Sequence, residues 1–196
     1  DANPLSRLPG NITIIQTVQK RIEDEIPFAF AHIDIDNFKP FNDRYGFSRG
    51  DEVIRMTARI LVNTVRNFPD AQGFIGHIGG DDFVLVTHAS WIEPICRQAI
   101  VHFDMLAATF YDDEDSVRGY IDSVDRQGNP RRFPLISISI AAVSSTNNNF
   151  NHYGQFSAAA NEVKKKVKQL DGSNFMLDRR ATKDDETETP NETITH

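Results

Sequence analysis

The chain has 196 residues and a net charge of −7, with 39% hydrophobic and 25% charged residues, the composition of one ordinary globular domain able to bury a sizeable core. Residues 181–196 hold five acids and one lysine, net −4, which leaves −3 for residues 1–180. Neither part has the basic surplus of a phosphate-backbone binder, so nucleic acid is excluded as a partner, and no apolar run is long enough to span a bilayer, so direct membrane contact is not expected. The single cysteine, Cys96, excludes an intrachain disulfide framework and fits a reducing, cytoplasmic setting. The chain starts at Asp1 rather than Met, which reads as a fragment of a longer protein.

In chain order, Thr13-Ile-Ile-Gln16 has capping-box spacing and Ile15, Val18 and Ile22 follow at helical intervals, predicting a helix over about 11–24 that Pro27 ends. FAFAHID (28–34) reads as a short, largely buried strand. DNFKPFNDRYG is a helical turn closed by Gly46, after which Ser48 is expected to cap a helix to about Asn67 with Val53, Thr57, Ile60 and Leu61 inward. Gly73 to His88 reads as two strands around GGDD, and Trp91 to about Tyr111 as an amphipathic helix. A second hairpin follows: GYIDSV, the turn DRQGN, and one long strand RRFPLISISIAAV whose ISISI alternates with period two. After a polar loop come a helix over 156–170 and a last strand, NFMLD. Helices between strands and hairpins predict an α+β sandwich with a mainly antiparallel central sheet flanked by helices. Residues 181–196 carry almost nothing apolar and are expected to be a disordered acidic tail or linker.

GGDD (79–82) has two readings on the residues alone. Gly and Asp are the usual residues of tight hairpin turns. Alternatively, Asp34, at the end of its strand, and Asp81 converge across neighbouring strands. Together with the carbonyl of Ile35 they would then form an oxygen-donor set for Mg²⁺ shared with substrate phosphates. Gly79 and Gly80 would let the backbone approach a triphosphate, Lys39 would add a charge for a phosphate, and Asn42 and Asp51 have the hydrogen-bonding capacity to read a purine edge.

HIDIDNFKPFNDRYGFSRGDEVI (32–54) together with GGDDF resembles the GGDEF domain, the diguanylate cyclase family, which condenses two GTP into cyclic di-GMP and two pyrophosphates. NPLSRLPGN resembles that family's D-x-L-T-x-L-P-N-R opening. SISIAAV resembles its T-V-S-I-G-V-A strand, and NEVKKKVKQLDGSN its A-D-x-A-L-Y-x-A-K-x-x-G-R-N helix. The resemblance covers roughly residues 3–178 and implies one GGDEF domain over 1–180 with the nucleotide-cyclase-like, ferredoxin-like sandwich. It implies that Asp34, the carbonyl of Ile35 and Asp81 hold Mg²⁺ (or Mn²⁺), and that Asp82 stands where the family has an essential Glu. It further implies that Asn37, Phe38 and Lys39 grip phosphates, Asn42 and Asp51 read guanine, Gly79 and Gly80 lie against the triphosphate, and Lys168 binds phosphate. A second GGDEF protomer is implied for catalysis, as are attached sensor or EAL-type domains in a parent protein.

The departures from the family pattern are Asp82 for Glu, Phe47 for the His after Gly46, and Ser173 near a phosphate-binding Arg. The window of the family's inhibitory R-x-x-D reads Asp70-Ala-Gln-Gly73, so feedback through that motif is not expected. Asp36 is expected to be a cap or a solvated carboxylate, and His32 and His77 satisfied structural histidines. Of Lys164-Lys-Lys-Val-Lys168, only Lys168 is expected to leave the solvated face. Enzyme and non-catalytic GTP-binding regulator both remain open from the sequence.

Overall fold

The computed structural model describes residues 1–178, so the tail expected over 181–196 lies outside the described residues. In chain order the elements are α1 (Asn11–Glu23), β1 (Phe28–Asp36), α2 (Phe38–Tyr45), α3 (Phe47–Arg66), β2 (Phe74–Gly79), β3 (Asp82–His88), α4 (Ile92–Ala107), α5 (Asp113–Arg118), β4 (Tyr120–Val124), β5 (Pro130–Pro134), β6 (Ser137–Ser144), α6 (Tyr153–Val167) and β7 (Asn174–Asp178). Five strands form one sheet in the order β2-β3-β1-β6-β7, antiparallel except for the β6–β7 pair. This is the α+β sandwich expected from the sequence.

β1 takes the centre because it is apolar on both faces, and Phe28–Ile35 are all buried. Alternation sends Ala29, Ala31, Ile33 and Ile35 into a core with Val53 and Leu61 of α3 and Ile95 and Phe103 of α4. Phe28 and Phe30 enter a second core with Ile14 and Val18 of α1 and Phe156 and Val163 of α6. Along this second face the strands change character. β1 reads Phe28, Phe30, then His32, Asp34, Asp36, and its partner β6 reads Val143, Ala141, then Ser139 and Ser137 opposite the two aspartates. The apolar half holds the helices down, and the polar half forms the site. Phe156, fully buried, packs its ring 4.8 Å from Phe28 and 5.1 Å from Phe150. Phe156→Ala is therefore expected to cost about 3–5 kcal/mol, read as a lower urea midpoint with an unchanged slope.

Several local expectations are corrected. α1 starts at Asn11 with Gly10 as its cap, so no capping box forms. Thr13 instead lies one turn inside, where its N–H and hydroxyl donate to the Asp1 carboxylate at 3.0 and 2.6 Å. α3 starts at Phe47, with Gly46 (φ 89°) at the cap position, so Ser48 lies inside the first turn and caps nothing. The segment RRFPLISISIAAV is two strands. β5 ends at Pro134, which has no N–H for a ladder, and pairs only with β4 in a separate two-stranded sheet. The chain then turns, with the Ile136 N–H donating to the Tyr111 hydroxyl at 2.8 Å, before β6 begins.

α5 was not foreseen. It is short, with three acids in its first turn and Gly119 (φ 78°) at its end. It carries the buried Asp115, which accepts from Arg44 (3.2 Å), Arg118 (2.7 Å) and the Tyr45 hydroxyl. That hub fastens the C-terminal end of α2, the helix that brings Asn42 to the site. Among the described residues no helix is long and apolar enough to cross a membrane.

Candidate active site

The β2–β3 hairpin turns through Gly79 and Gly80 (φ 156° and 53°), the second a left-handed conformation that glycine adopts at no steric cost. A Cβ at either would meet nothing within 4 Å, so this turn opens onto free space. His77 holds it from below: one ring nitrogen lies 2.8 Å from the Gly80 carbonyl and the other 2.7 Å from the Ser6 hydroxyl. Because the carbonyl can only accept, Nε2 carries the proton. The ring stacks on Phe83, with centroids 4.3 Å apart, and burial lowers its pKa. His77 is a satisfied structural histidine, as expected.

The register Asp34↔Asp82 between β1 and β3 sets Asp34 beside the hairpin. One oxygen from each of Asp34, Asp81 and Asp82 lies within 4.8 Å of the others. The Ile35 N–H donates to the Asp81 carbonyl at 3.4 Å. Because a strand residue's N–H and C=O leave the same edge, the Ile35 carbonyl points to this side too. Hard oxygen donors gathered in this way fit Mg²⁺ or Mn²⁺.

The three carboxylates do not share charge evenly. Burial pushes Asp34 up, but a hydrogen bond and charge from Lys168, a hydrogen bond with Asp82 and the charge of Lys164 outweigh it. Its pKa therefore lies below the usual carboxylate range. Burial, then the Asp34 charge, pushes Asp81 up to about 7. The same causes push Asp82 up to about 6 against the pull of Lys164. Asp34 is thus the carboxylate most firmly held in its charged form, and bringing a divalent ion to the cluster favours the charged forms of Asp81 and Asp82 as well.

α6 covers the polar half of the face. Lys168 Nζ lies 2.7 Å from Asp34 and 2.9 Å from Asp36, so it joins the cluster as expected. Lys164, read from sequence as part of a solvated face, lies 3.3 Å from Asp34 and 3.6 Å from Asp82. The signal was its spacing of four from Lys168, which puts both ammoniums on one helix face. Asp36 is neither a cap nor solvated: it accepts from the Ser137 and Ser139 hydroxyls, each at 2.8 Å, and from Lys168. A run of alternating serines gives no sequence signal for a carboxylate partner on the neighbouring strand, more than a hundred residues away in the chain. His32 is only half satisfied. Its Nδ1 lies 3.0 Å from Asn161 Oδ1, while its buried Nε2 has no hydrogen-bond partner. Burial, then the Lys164 charge, lowers its pKa to about 4.

The turn from β1 into α2 passes through Asn37 in the left-handed region (φ 61°). The Phe38 side chain goes into the core, so only its backbone is available to a ligand. Lys39 stays apart from the cluster. It is exposed and pairs with Asp43 at 2.8 Å, one helical turn on. Asn42 Oδ1 is buried with no hydrogen-bond partner, and it comes so close to Gly50 that a Cβ there would be 1.8 Å away. Gly50, which sequence reasoning passed over, is thus the residue that leaves room for the Asn42 amide. Asp51 follows it on α3, half-buried. Ser173, where a cation was missing, instead closes the sheet edge: its hydroxyl accepts from the Ile138 N–H and donates to Asp104.

The described residues thus bring together a carboxylate cluster at the end of a central strand, a glycine turn open to solvent and two lysines, an arrangement whose oxygen donors could hold a divalent ion. Residues 4–118, more than half of the chain, match the family described as "Diguanylate cyclase, GGDEF domain". The chain belongs to the GGDEF, diguanylate cyclase, family. It is 36% identical over 89 residues to MucR of Pseudomonas aeruginosa, a bifunctional diguanylate cyclase/cyclic di-GMP phosphodiesterase; the match covers 43% of this chain and 12% of that protein. With a diguanylate cyclase of Vibrio cholerae it shares 34% identity over 67 residues, 34% of this chain and 20% of that one. The matched stretch is thus a minor part of both curated relatives.

Among solved structures, the GGDEF domain of TpbB from Pseudomonas aeruginosa superposes with a TM-score of 0.67 at 18% identity, covering 90% of this chain and 94% of that one. The GGDEF domain of DgcB from Caulobacter crescentus, solved in complex with c-di-GMP, gives 0.63 at 18% identity with the same coverage. At such identities the likeness shows the fold, which is the one the motifs implied.

Proposed function

We propose that this domain binds GTP and carries diguanylate cyclase chemistry, with Asp34, Asp81 and the Ile35 carbonyl holding Mg²⁺ or Mn²⁺. The convergence of Asp34, Asp81, Asp82 and Lys168 beside the open Gly79-Gly80 turn carries this reading. Gly79 and Gly80 admit the triphosphate along their backbone, and the Asn37–Lys39 turn and Lys168 grip its phosphates. Asn42, whose Oδ1 is unpartnered beside Gly50, reads the guanine edge with Asp51. A second GGDEF protomer faces the first. The 3′-oxygen of each GTP bonds to the α-phosphorus of the other, the bond from that phosphorus to its bridging oxygen breaks, and two pyrophosphates leave as the ring closes. Asp82 stands where a carboxylate would take the hydroxyl proton. When bound, the metal polarises the phosphate and neutralises the leaving charge.

A second reading is favoured by the short Asp82 being engaged by Lys164 and by Lys39 pairing with Asp43. In it the domain binds GTP without turnover and regulates an attached partner, such as a sensor or an EAL-type phosphodiesterase. The bifunctional relative makes such an arrangement concrete. In either reading the domain works in the cytoplasm.

The test is to incubate the domain, concentrated or fused to a dimeriser, with Mg²⁺ and GTP, and to measure GTP affinity and cyclic di-GMP together. Product formation is the expected result. Tight binding without product selects the regulatory reading, and absence of GTP binding removes both.

A further inference from the structure

Two ammonium groups reach the carboxylate cluster, and they are held differently. Lys168 makes two short contacts, to Asp34 (2.7 Å) and Asp36 (2.9 Å), and Asp36 is itself fixed by two serine hydroxyls. Lys164 makes only longer contacts, 3.3 Å to Asp34 and 3.6 Å to Asp82, yet its side chain is just 26% exposed. The intervening Lys165 and Lys166 are exposed, with Lys165 paired to Glu162 at 2.9 Å. Directed inward with no acceptor beyond these two among the described residues, Lys164 has been recruited by the cluster rather than left on a solvated face.

A divalent ion ligated by Asp34 would add two positive charges beside both ammoniums. Like charges at that separation repel strongly in a partly buried site, so one of them has to leave. Lys168 is anchored by Asp36, outside the ion's ligand set, whereas both contacts of Lys164 are to cluster carboxylates. We infer that Lys164 is a positioning residue that acts as the site's internal counter-ion: it bridges Asp34 and Asp82 in the metal-free domain, yields to the divalent ion, and moves to the phosphates arriving with it. The last step rests on the GTP-binding reading; the exchange with metal does not. The role fits the local chemistry, because the four-carbon lysine stem lets the charge swing between acceptors without moving the helix.

The test separates a counter-ion from a residue that simply stabilises the fold. Mn²⁺ binding to the nucleotide-free domain, followed by electron paramagnetic resonance, is expected to tighten about tenfold in Lys164→Met, a change of one decade in Kd. With saturating Mn²⁺, GTP is expected to bind about tenfold more weakly to the same variant, a change of one decade the other way. Lys164→Arg keeps the charge and is expected to behave like the parent in both measurements. Without metal, a double-mutant cycle of Lys164→Gln and Asp82→Asn by urea unfolding is expected to show a favourable Lys164–Asp82 coupling.

Unchanged or weaker Mn²⁺ binding in both Lys164→Met and Lys164→Gln overturns the inference, as does zero coupling to Asp82. If the parent takes up Mn²⁺ but not GTP, the function proposed above fails while the metal exchange still stands or falls on its own measurement. If GTP affinity and Mn²⁺ affinity drop together, Lys164 supports the site only structurally and the counter-ion role is lost.

Discussion

Asp81→Asn is expected to remove metal-dependent turnover while leaving the fold intact. The amide keeps the shape of the carboxylate and withdraws its charge from a crowded site where burial and the neighbouring Asp34 already push Asp81 up to about 7. The metal-free domain therefore loses no favourable ion pair, and its urea midpoint should stay level or rise. Mn²⁺ has one fewer anionic oxygen and should bind at least on the order of 10²-fold more weakly. Product formation should fall by on the order of 10²–10³-fold, the scale seen when one preorganised electrostatic contact is lost. Chromatographic measurement of cyclic di-GMP, with unfolding curves on the same preparation, checks both halves. Unchanged turnover in Asp81→Asn would falsify the metal assignment.

Asp82→Glu is expected to raise turnover by on the order of 10²-fold. Asp82 begins β3 in register with Asp34, so its backbone is fixed by the ladder and its reach is set by side-chain length alone. Glutamate adds one methylene, about 1.5 Å of bond length, and a misplacement of about 1 Å costs about 10²-fold. The longer side chain also reaches past the Asp34–Lys164 contacts that now engage Asp82. The check is the rate of cyclic di-GMP formation at saturating GTP and Mg²⁺, compared with the parent. If GTP binds equally well to both and neither makes product, the carboxylate length is not what separates this domain from a cyclase, and the regulatory reading stands.

The sheet was legible because its pattern is local. The unbroken apolar run of β1, the glycine-centred hairpin and the period-two ISISI each bury a predictable face, and the packed helices follow from 3.6-residue spacing. Three errors have one cause. Thr13 in the first turn of α1 is met by Asp1, the break before β6 is held by Tyr111, and α5 is short enough to depend on the Asp115 hub. In each case the partner lies outside the window in which propensity operates.

The candidate site divides along the same line. Asp34, Asp81, Asp82 and the two glycines were visible from residue type and spacing, because strand ends and hairpin turns are local features. The sequence by itself thus determined most of the strands, the family pattern and the residues of the acidic cluster. The tertiary structure alone decided which cations meet them. It turned Lys39 out to Asp43, bound Asp36 to two serines of β6, set Gly50 against Asn42 and drew Lys164 inward between Asp34 and Asp82. A lysine reads as solvated until something nearby offers it a buried carboxylate. The spacing of four sets Lys164 on the same helix face as Lys168, but which acceptors that face meets depends on how α6 lies across β1 and β3.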